Sequence, residues 1–366
     1  MRKIFIIILI NIIYVYAFAD SSINRKIFIT LEGSIDKYAI TIDIFIEAPD
    51  NILQNKKSAI RGYYKYNNIN TPIPIIGEID KNTIIFYAFN SDKNKKEIFY
   101  FQINNSQLDS IINLGNNKKN INLKGSWQKD NKKLSSDIKT IKPLYTVYNI
   151  SVSKEYKNYI HTLSALYIEN LKLLVYEDKV IKHINNTNEI IQKINNEIIQ
   201  KVNNNINELD LKEEETFYEA QFYGFYDGFF NDNVLCITSS IEYYYGGPYP
   251  GTSIEYLTLD INKLELRRLT LSDFVNDSDE FRKTLQKELD KYYSKDEDFS
   301  IDVIDKVDSS YAEYLMQNNV SICTKNDDID LHIQFNFPHA ARAFDDFSIS
   351  FSKLKPYLKK NIYYYF

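Results

Sequence analysis

The segment Tyr38-Ala39-Ile40-Thr41-Ile42-Asp43-Ile44-Phe45-Ile46 is composed largely of residues that favour β-strands. It is one of several such runs between Ile27 and Ile141, separated by clusters of Gly, Asn, Asp and Lys. Short strands punctuated by turn residues are typical of an antiparallel meander. The clearest runs are Ile27–Leu31, Tyr38–Ile46, Ile60–Tyr66, Ile73–Ile79 and Thr83–Phe89.

Glycines recur inside these runs at similar places, at Gly33, Gly62, Gly77 and Gly125. A glycine within a strand often marks a bulge or a close approach of two backbones. Its repetition predicts a strongly curved sheet, so residues 20–141 are predicted to form an antiparallel β-meander or small barrel. The pattern loosely resembles a β-meander module of bacterial exported proteins.

The second half of the chain, residues 142–366, has the pattern of an α+β domain. The basic and polar segment Lys129–Lys142 is predicted to be the linker, and Tyr145–Ser153 a strand. Tyr159–Val175 has a helix-like pattern. The remaining strands predict an antiparallel sheet, and two main helices are predicted to accompany it.

The two main helices are predicted from apolar residues that repeat at helical spacing. The first apolar stripe could belong to a coiled coil, but its length favours a single helix laid on a sheet. The second follows a plausible cap at Asp277-Ser278-Asp279. The stripes consist of Ile184, Ile191, Ile194, Ile198, Val202 and Ile206 in the first helix, and Phe281, Leu285 and Leu289 in the second.

The N-terminus has the order of features of a secretory signal peptide. Arg2 and Lys3 precede a nearly continuous apolar run, and Ala17-Phe18-Ala19 supplies small residues before Asp20. Cleavage is therefore predicted between Ala19 and Asp20, and the mature protein is expected to be periplasmic or secreted. The apolar run is short for a spanning helix, which needs about 20 apolar residues. An uncleaved anchor is the alternative, and no membrane span is expected after cleavage.

The net charge and the cysteines of the chain limit the kinds of partner and compartment that are expected. The 366 residues carry a formal charge of −5, and cleavage removes two further positive charges. This acidity disfavours nucleic acid and anionic membranes and would suit a cationic protein. Cys236 and Cys323 lie in strand-like runs, and in an oxidising compartment they could form a disulfide. Alternatively, Cys236 and Cys323 are both free thiols that are buried as small apolar side chains.

The order of motifs in the second half is specific enough to compare with a family. Tyr245-Gly246-Gly247 is followed by Leu269-Thr270-Leu271-Ser272-Asp273-Phe274, an amphipathic helix, and Ile329–Phe337. Over roughly Tyr145 to Leu358 this order resembles the extracytoplasmic domain of the lysozyme-sensing anti-sigma factors of Gram-positive bacteria. The same domain accompanies some peptidoglycan deacetylases. Pro248-Tyr249 stands where family members usually carry Ala-His.

The resemblance implies binding of a lysozyme-like protein or a cell-wall glycan, and it implies neither an enzyme nor a cofactor. Tyrosines offer a large amphipathic contact area, and a Gly-Pro turn holds them in place. A hairpin whose tyrosines alternate between core and water is the competing interpretation. The candidate binding residues are Tyr244, Tyr245, Gly246, Gly247, Tyr249 and His339.

No constellation in the sequence points to catalysis. His161 and His183 are predicted to lie in helical segments, and none of the four histidines has the spacing of metal ligands. No Gly-x-Ser-x-Gly elbow or phosphate loop is present. A structural or assembly protein of the envelope is the main alternative to a binding protein, and a cell-wall-modifying hydrolase is the third hypothesis.

Overall fold

A computed structural model describes most of the chain between residues 19 and 360. The described residues are 19–54, 56–68, 73–89, 96–113, 117–156, 159–208, 217–230, 233–244, 251–293, 320–321, 330–334 and 346–360.

The chain forms two compact units whose segments alternate along the sequence. We call them the crossover unit and the meander unit. The crossover unit comprises Met1–Lys26, Tyr145–Gly224 and Thr238–Ile254. The meander unit comprises Ile27–Leu144, Phe225–Ile237 and Glu255–Phe366.

Eight consecutive strands build a closed sheet, each hydrogen-bonded to the next. The meander unit contains these strands except for residues 19–26 of β1 and 145–156 of β8. Strand β8 pairs with β1 as well as with β7, so the sheet closes on itself, and Asp36 N–H donates to the carbonyl of Ser135 at 2.8 Å. The closed sheet corresponds to the small barrel that the sequence predicts. The strands are β1 (Ala19–Ile35), β2 (Tyr38–Glu47), β3 (Ser58–Tyr66), β4 (Ile73–Asp80), β5 (Thr83–Phe89), β6 (Lys96–Gln102), β7 (Lys119–Lys129) and β8 (Lys132–Tyr156).

The recurring glycines lie where neighbouring strands approach closely, as the sequence predicts. A β-carbon built on Gly77 would lie 2.0 Å from the carbonyl oxygen of Ile85. Likewise, β-carbons built on Gly33, Gly62 and Gly125 would lie 2.0–2.2 Å from backbone oxygens of the neighbouring strands. Any side chain at these positions would collide with a backbone. The glycines therefore permit the tight coiling that a closed sheet requires.

Side chains fill the interior of the closed sheet. Alternate residues of β2, Ile40, Ile42, Ile44 and Ile46, are almost completely buried there. Each buried isoleucine stabilises the fold by about 1.5–3 kcal/mol. Two short helices add to this core: α1 (Asp50–Leu53) and α2 (Asn105–Ile112). Asn104 and Gln107 form a capping box at the start of α2.

The crossover unit has a mixed sheet backed by a long helix. Strand β9 (Tyr159–Ile168) is antiparallel to β8 and parallel to β12 (Phe217–Phe230). Between these parallel strands the chain forms β10 (Leu173–Tyr176), β11 (Lys179–Ile181) and helix α3 (Thr187–Glu208). Parallel neighbours need such a long crossover connection.

Helix α3 carries the first predicted apolar stripe. Ile190, Ile194 and Ile198 are fully buried and pack in one cluster with Tyr159 and Leu163 of β9. This confirms a single amphipathic helix laid on a sheet. The prediction placed Ile191 on this face, but the buried residue is Ile190, and Ile191 is only partly buried.

The predicted helix at Tyr159–Val175 is wrong, since these residues form β9, a 3-10 turn and β10. Strand β9 is buried on both faces over most of its length. Its apolar residues therefore run almost continuously, and such a run lacks the alternation that distinguishes a strand from a buried helix. The predicted linker is also wrong at Lys132–Lys142, which belongs to β8 and pairs with β7.

The rest of the described chain follows the predicted α+β pattern. Leu271–Phe274 is a short helix, α4, capped by Thr270 and Asp273. Helix α5 (Asp279–Tyr293) contains the second predicted stripe, with Phe281 and Leu285 buried. No helix in the described part of the chain is both long and apolar enough to cross a membrane. The remaining elements are β13 (Val234–Tyr244), β14 (Gly251–Asp260), β15 (Glu265–Arg267), β16 (Val320–Ser321), β17 (Asp330–Gln334), β18 (Asp346–Ser350) and α6 (Phe351–Leu354).

Candidate functional site

Only part of the predicted binding site lies in the described structure. Tyr244 is the last residue of β13. Tyr245, Gly246, Gly247, Tyr249 and His339 lie outside the described residues. Residues 1–18 also lie outside them, and Ala19 and Asp20, which flank the predicted cleavage point, begin β1. The geometry of the site is therefore given by the strands on either side of residues 245–250.

Both strands, β13 (Val234–Tyr244) and β14 (Gly251–Asp260), change from buried to exposed toward residues 245–250. Val234–Ile237 at the start of β13 is buried, whereas Ile241–Tyr243 near its end is exposed. Strand β14 pairs with β13 and has the reverse pattern, with Tyr256–Asp260 buried at its far end. We call the described residues at these ends of the two strands, 241–244 and 251–254, the hairpin tip.

Large apolar side chains are exposed at the hairpin tip. Tyr243 is 42% exposed, Ile241 37% and Ile254 36%. A β-carbon built on Gly251 would lie 2.2 Å from Cζ of Tyr243. The aromatic ring therefore lies directly against the Gly251 backbone, which limits its freedom while leaving much of it in contact with water.

A second aromatic contact involves the next residue of β13. The rings of Tyr244 and Tyr218 are stacked, with centroids 6.1 Å apart and planes inclined by 24°. Stacked tyrosines lose little further entropy when a ligand binds, and each presents both an apolar face and a hydroxyl. The hairpin tip can thus offer pre-positioned aromatic surfaces to a sugar ring or to a protein.

Cys236 lies in the buried part of β13 and is disulfide-bonded. Cys323, the other cysteine of the sequence, lies outside the described residues. The pairing with Cys323 stays a prediction.

A buried polar cluster in the crossover unit is not predicted by the sequence. His161 lies in β9, not in a helix, and is completely buried. Its Nδ1 is 3.3 Å from the hydroxyl of Tyr159, which donates to Oε2 of Glu219 at 3.2 Å. Since the Tyr159 hydroxyl donates its hydrogen bond to Glu219, it can accept one from His161 only in the tautomer of the neutral imidazole that carries its hydrogen on Nδ1. The alternation of Tyr159, His161 and Leu163 along one face is the signal that could have revealed this placement.

Burial controls the ionisation of this cluster. The loss of solvation lowers the pKa of His161 to about 4, although Glu219 acts in the opposite direction. Nε2 is enclosed and has no hydrogen-bond partner among the described residues. The imidazole is therefore neutral at physiological pH, and its enclosure gives no substrate access to it.

The meander unit contains a second buried polar group. Glu97 is 1% exposed, and its carboxylate accepts a hydrogen bond from Trp127 Nε1 at 3.0 Å. Tyr64 and Lys129 also donate to it. Burial, together with the Glu97 charge, raises the pKa of Tyr64 far above its ordinary value. With all these donors supplied by the chain itself, the cluster is suited to holding the sheet together.

Among the described residues, no group of three or more His, Cys, Asp or Glu side chains could hold a metal ion. The hairpin tip is the part of the predicted site that lies among the described residues.

Comparison with known proteins gives little further information. No family model matches the chain, and no curated protein matches it. A DUF3298 family protein from Pseudomonas aeruginosa is 11% identical, with a TM-score of 0.35, over 59% of this chain and 95% of its own. A DUF3298 member from Bacteroides fragilis is 10% identical, with a TM-score of 0.35, over 60% of this chain and 96% of its own. At these values the likeness carries no argument about the activity of this chain.

Proposed function

We propose that the mature chain, beginning at Asp20, is an exported, non-catalytic protein of the cell envelope. It binds a lysozyme-like protein or a peptidoglycan fragment through the hairpin tip. The observation that carries this proposal is the exposure of Tyr243 against Gly251, next to the stacked pair Tyr218 and Tyr244. Exposed aromatic side chains held in place are the usual anchors of a recognition surface.

Two features support a partner in the envelope. The N-terminal pattern ending at Ala19 predicts export to the periplasm or the exterior. The disulfide at Cys236 agrees with an oxidising compartment. A cell-wall glycan or an enzyme that attacks one would be met in that compartment.

The charge of the chain fits one of the two partner classes in particular. Loss of Arg2 and Lys3 makes the mature protein two charges more negative than the full chain, whose formal charge is −5. A cationic, lysozyme-like protein would be attracted to it, and this attraction would weaken as salt increases. Stacking of sugar rings on tyrosine would depend much less on salt.

Calorimetric titration of the chain from Asp20 to Phe366 tests the proposal and separates the partners. A panel of lysozymes and a panel of muropeptides would be titrated at low and at moderate salt. Salt-sensitive binding of a lysozyme, or salt-insensitive binding of a muropeptide, is the expected result. Absence of binding to every member of both panels would contradict the proposal and favour a structural protein.

Export is tested separately. The full chain with a C-terminal tag would be expressed in a bacterium, and the intact mass of the exported product measured. A product that begins at Asp20 is expected. A product that retains the apolar run would support the uncleaved anchor instead.

A further inference from the structure

The outer face of strands β4, β5 and β6 carries a continuous group of apolar side chains. Ile76, Tyr87 and Ile98 are successive partners across the three strands. Ile85 and Tyr100 are partners one position further along the same face. We call these five residues the outer patch.

The outer patch faces away from the core of the closed sheet. The neighbouring residues that point inward, Ile75, Phe86 and Phe99, are almost completely buried. In contrast, Ile76 is 47% exposed and Tyr100 42%, and the other three patch residues are partly exposed. A solvated face of an antiparallel sheet normally carries polar residues, so this face departs from the expected alternation.

The size of the outer patch is that of an interaction site. Neighbouring strands are about 4.8 Å apart, and residues two apart on a strand are separated by about 7 Å. Five large side chains on this grid cover roughly 300–600 Å², the size of the largest apolar patch on a typical protein. A standard interface buries about 800 Å² on each partner, so association through this patch alone would be weak.

The charges around the outer patch favour an identical partner. Glu78 is paired with Lys57 at 2.8 Å, and Asp80 lies 3.5 Å from the same ammonium group. On the next strand, Arg61 lies 3.9 Å from Glu47. These charges are paired within the chain, so they offer little attraction to a strongly charged partner and little repulsion to a second copy.

This arrangement contrasts with the charge of the whole molecule. Two copies of a chain with a formal charge of −5 repel one another on average. Contact between copies is therefore most favourable where charges are paired locally and apolar surface is exposed. We infer that the outer patch is the contact through which two copies of this chain associate, face to face. This function goes beyond the recognition proposed for the hairpin tip.

Sedimentation velocity on the mature chain tests the inference, over protein concentrations from about 1 μM to about 300 μM. The wild type is expected to shift from monomer toward dimer within this range. Ile76→Lys, at the most exposed patch position, is expected to weaken the association at least tenfold, because it places an unpaired charge in the contact. Tyr87→Glu is the second variant.

Tyr38→Lys is the matched control, since Tyr38 is 46% exposed and lies outside the outer patch. It is expected to associate as the wild type does. Emission of the single tryptophan, Trp127, reports whether each variant keeps a folded meander unit. A wild type that stays monomeric throughout, or folded Ile76→Lys and Tyr87→Glu variants that still dimerise normally, would overturn the inference. Binding of an N-acetylglucosamine tetramer by a purely monomeric protein, lost in Ile76→Lys, would assign the patch to a glycan instead and would also overturn it.

Discussion

The ring of Tyr243 lies against the backbone of Gly251, with Cζ only 2.2 Å from the position that a β-carbon at residue 251 would take. Tyr243 lies near the end of β13, and Gly251 is the first residue of β14. Residue 251 must lack a side chain for Tyr243 to adopt this position. The placement of an exposed aromatic ring thus depends on a glycine that is eight residues away along the chain.

Gly251→Ala is expected to reduce partner binding more than it reduces stability. The new methyl group would displace the far end of a tyrosine side chain, which can move, so the free energy of unfolding should fall by less than about 1 kcal/mol. Calorimetry with the partner identified by the titration panels measures the binding. In a Tyr243→Ala background the same substitution should have almost no further effect. If Gly251→Ala weakens partner binding equally in the wild type and in the Tyr243→Ala variant, the glycine acts independently of Tyr243.

Stability is expected to depend on pH through His161. Burial lowers its pKa to about 4 from an ordinary value of 6.5, so between these values the unfolded chain binds the proton that the folded chain excludes. The contribution of His161 to the free energy of unfolding is therefore constant above about pH 6.5 and falls as the pH decreases toward 4. The total change is up to about 3 kcal/mol.

Urea unfolding at a series of pH values measures this dependence. His161→Gln should remove most of the decrease between pH 6.5 and 4, whereas His183→Asn, at an exposed position, should retain it. If the free energy of unfolding of both variants falls with decreasing pH as steeply as that of the wild type, a group other than His161 causes the pH dependence.

The buried carboxylate of Glu97 is expected to stabilise the meander unit. Glu97→Gln removes the charge that Lys129 pairs with and leaves that ammonium group without its counter-ion. Loss of one partner of such a pair should lower the free energy of unfolding by about 2–4 kcal/mol. Trp127 donates a hydrogen bond to the same carboxylate, so its emission reports both the unfolding and the local change.

The matched control is Glu78→Gln, which removes a carboxylate from the exposed pair with Lys57. Exposed pairs contribute little, so its urea midpoint should move much less than that of Glu97→Gln. Equal shifts for the two variants would contradict a special role for the buried carboxylate.

Reduction of the disulfide at Cys236 is expected to destabilise the protein. Native protein treated with an alkylating agent should gain no adducts, and reduced, unfolded protein should gain two, as measured by intact mass. Loss of the bond should lower the free energy of unfolding by about 2–4 kcal/mol. Two adducts on the native, unreduced protein would contradict the bond.

The sequence predicts the closed sheet well because its signals are local. Each glycine within a strand, such as Gly77, marks a place where the next backbone passes closely, and this requirement is visible in one short segment. The amphipathic stripe of α3 is likewise contained in a single helix.

The errors arise where burial is set by distant segments. The helix predicted at Tyr159–Val175 fails because β9 is covered on both faces, which removes the alternation of a half-exposed strand. His161 belongs to the same wrongly predicted segment, although the residues next to it alternate between buried and half-buried. The stacking of Tyr244 on Tyr218 joins residues from different strands, and no local pattern could have predicted it. The same holds for the hydrogen bond between Trp127 and Glu97.

The most direct test of the recognition proposal compares three proteins in one titration with the lysozyme and muropeptide panels. These are the wild type, the double variant Tyr243→Ala with Tyr244→Ala, and Tyr38→Ala, whose tyrosine is 46% exposed but lies in the meander unit. We predict that the wild type and Tyr38→Ala bind one panel member equally well, and that the folded double variant binds it at least about tenfold more weakly. Equal binding by all three proteins would show that the hairpin tip is not the recognition surface.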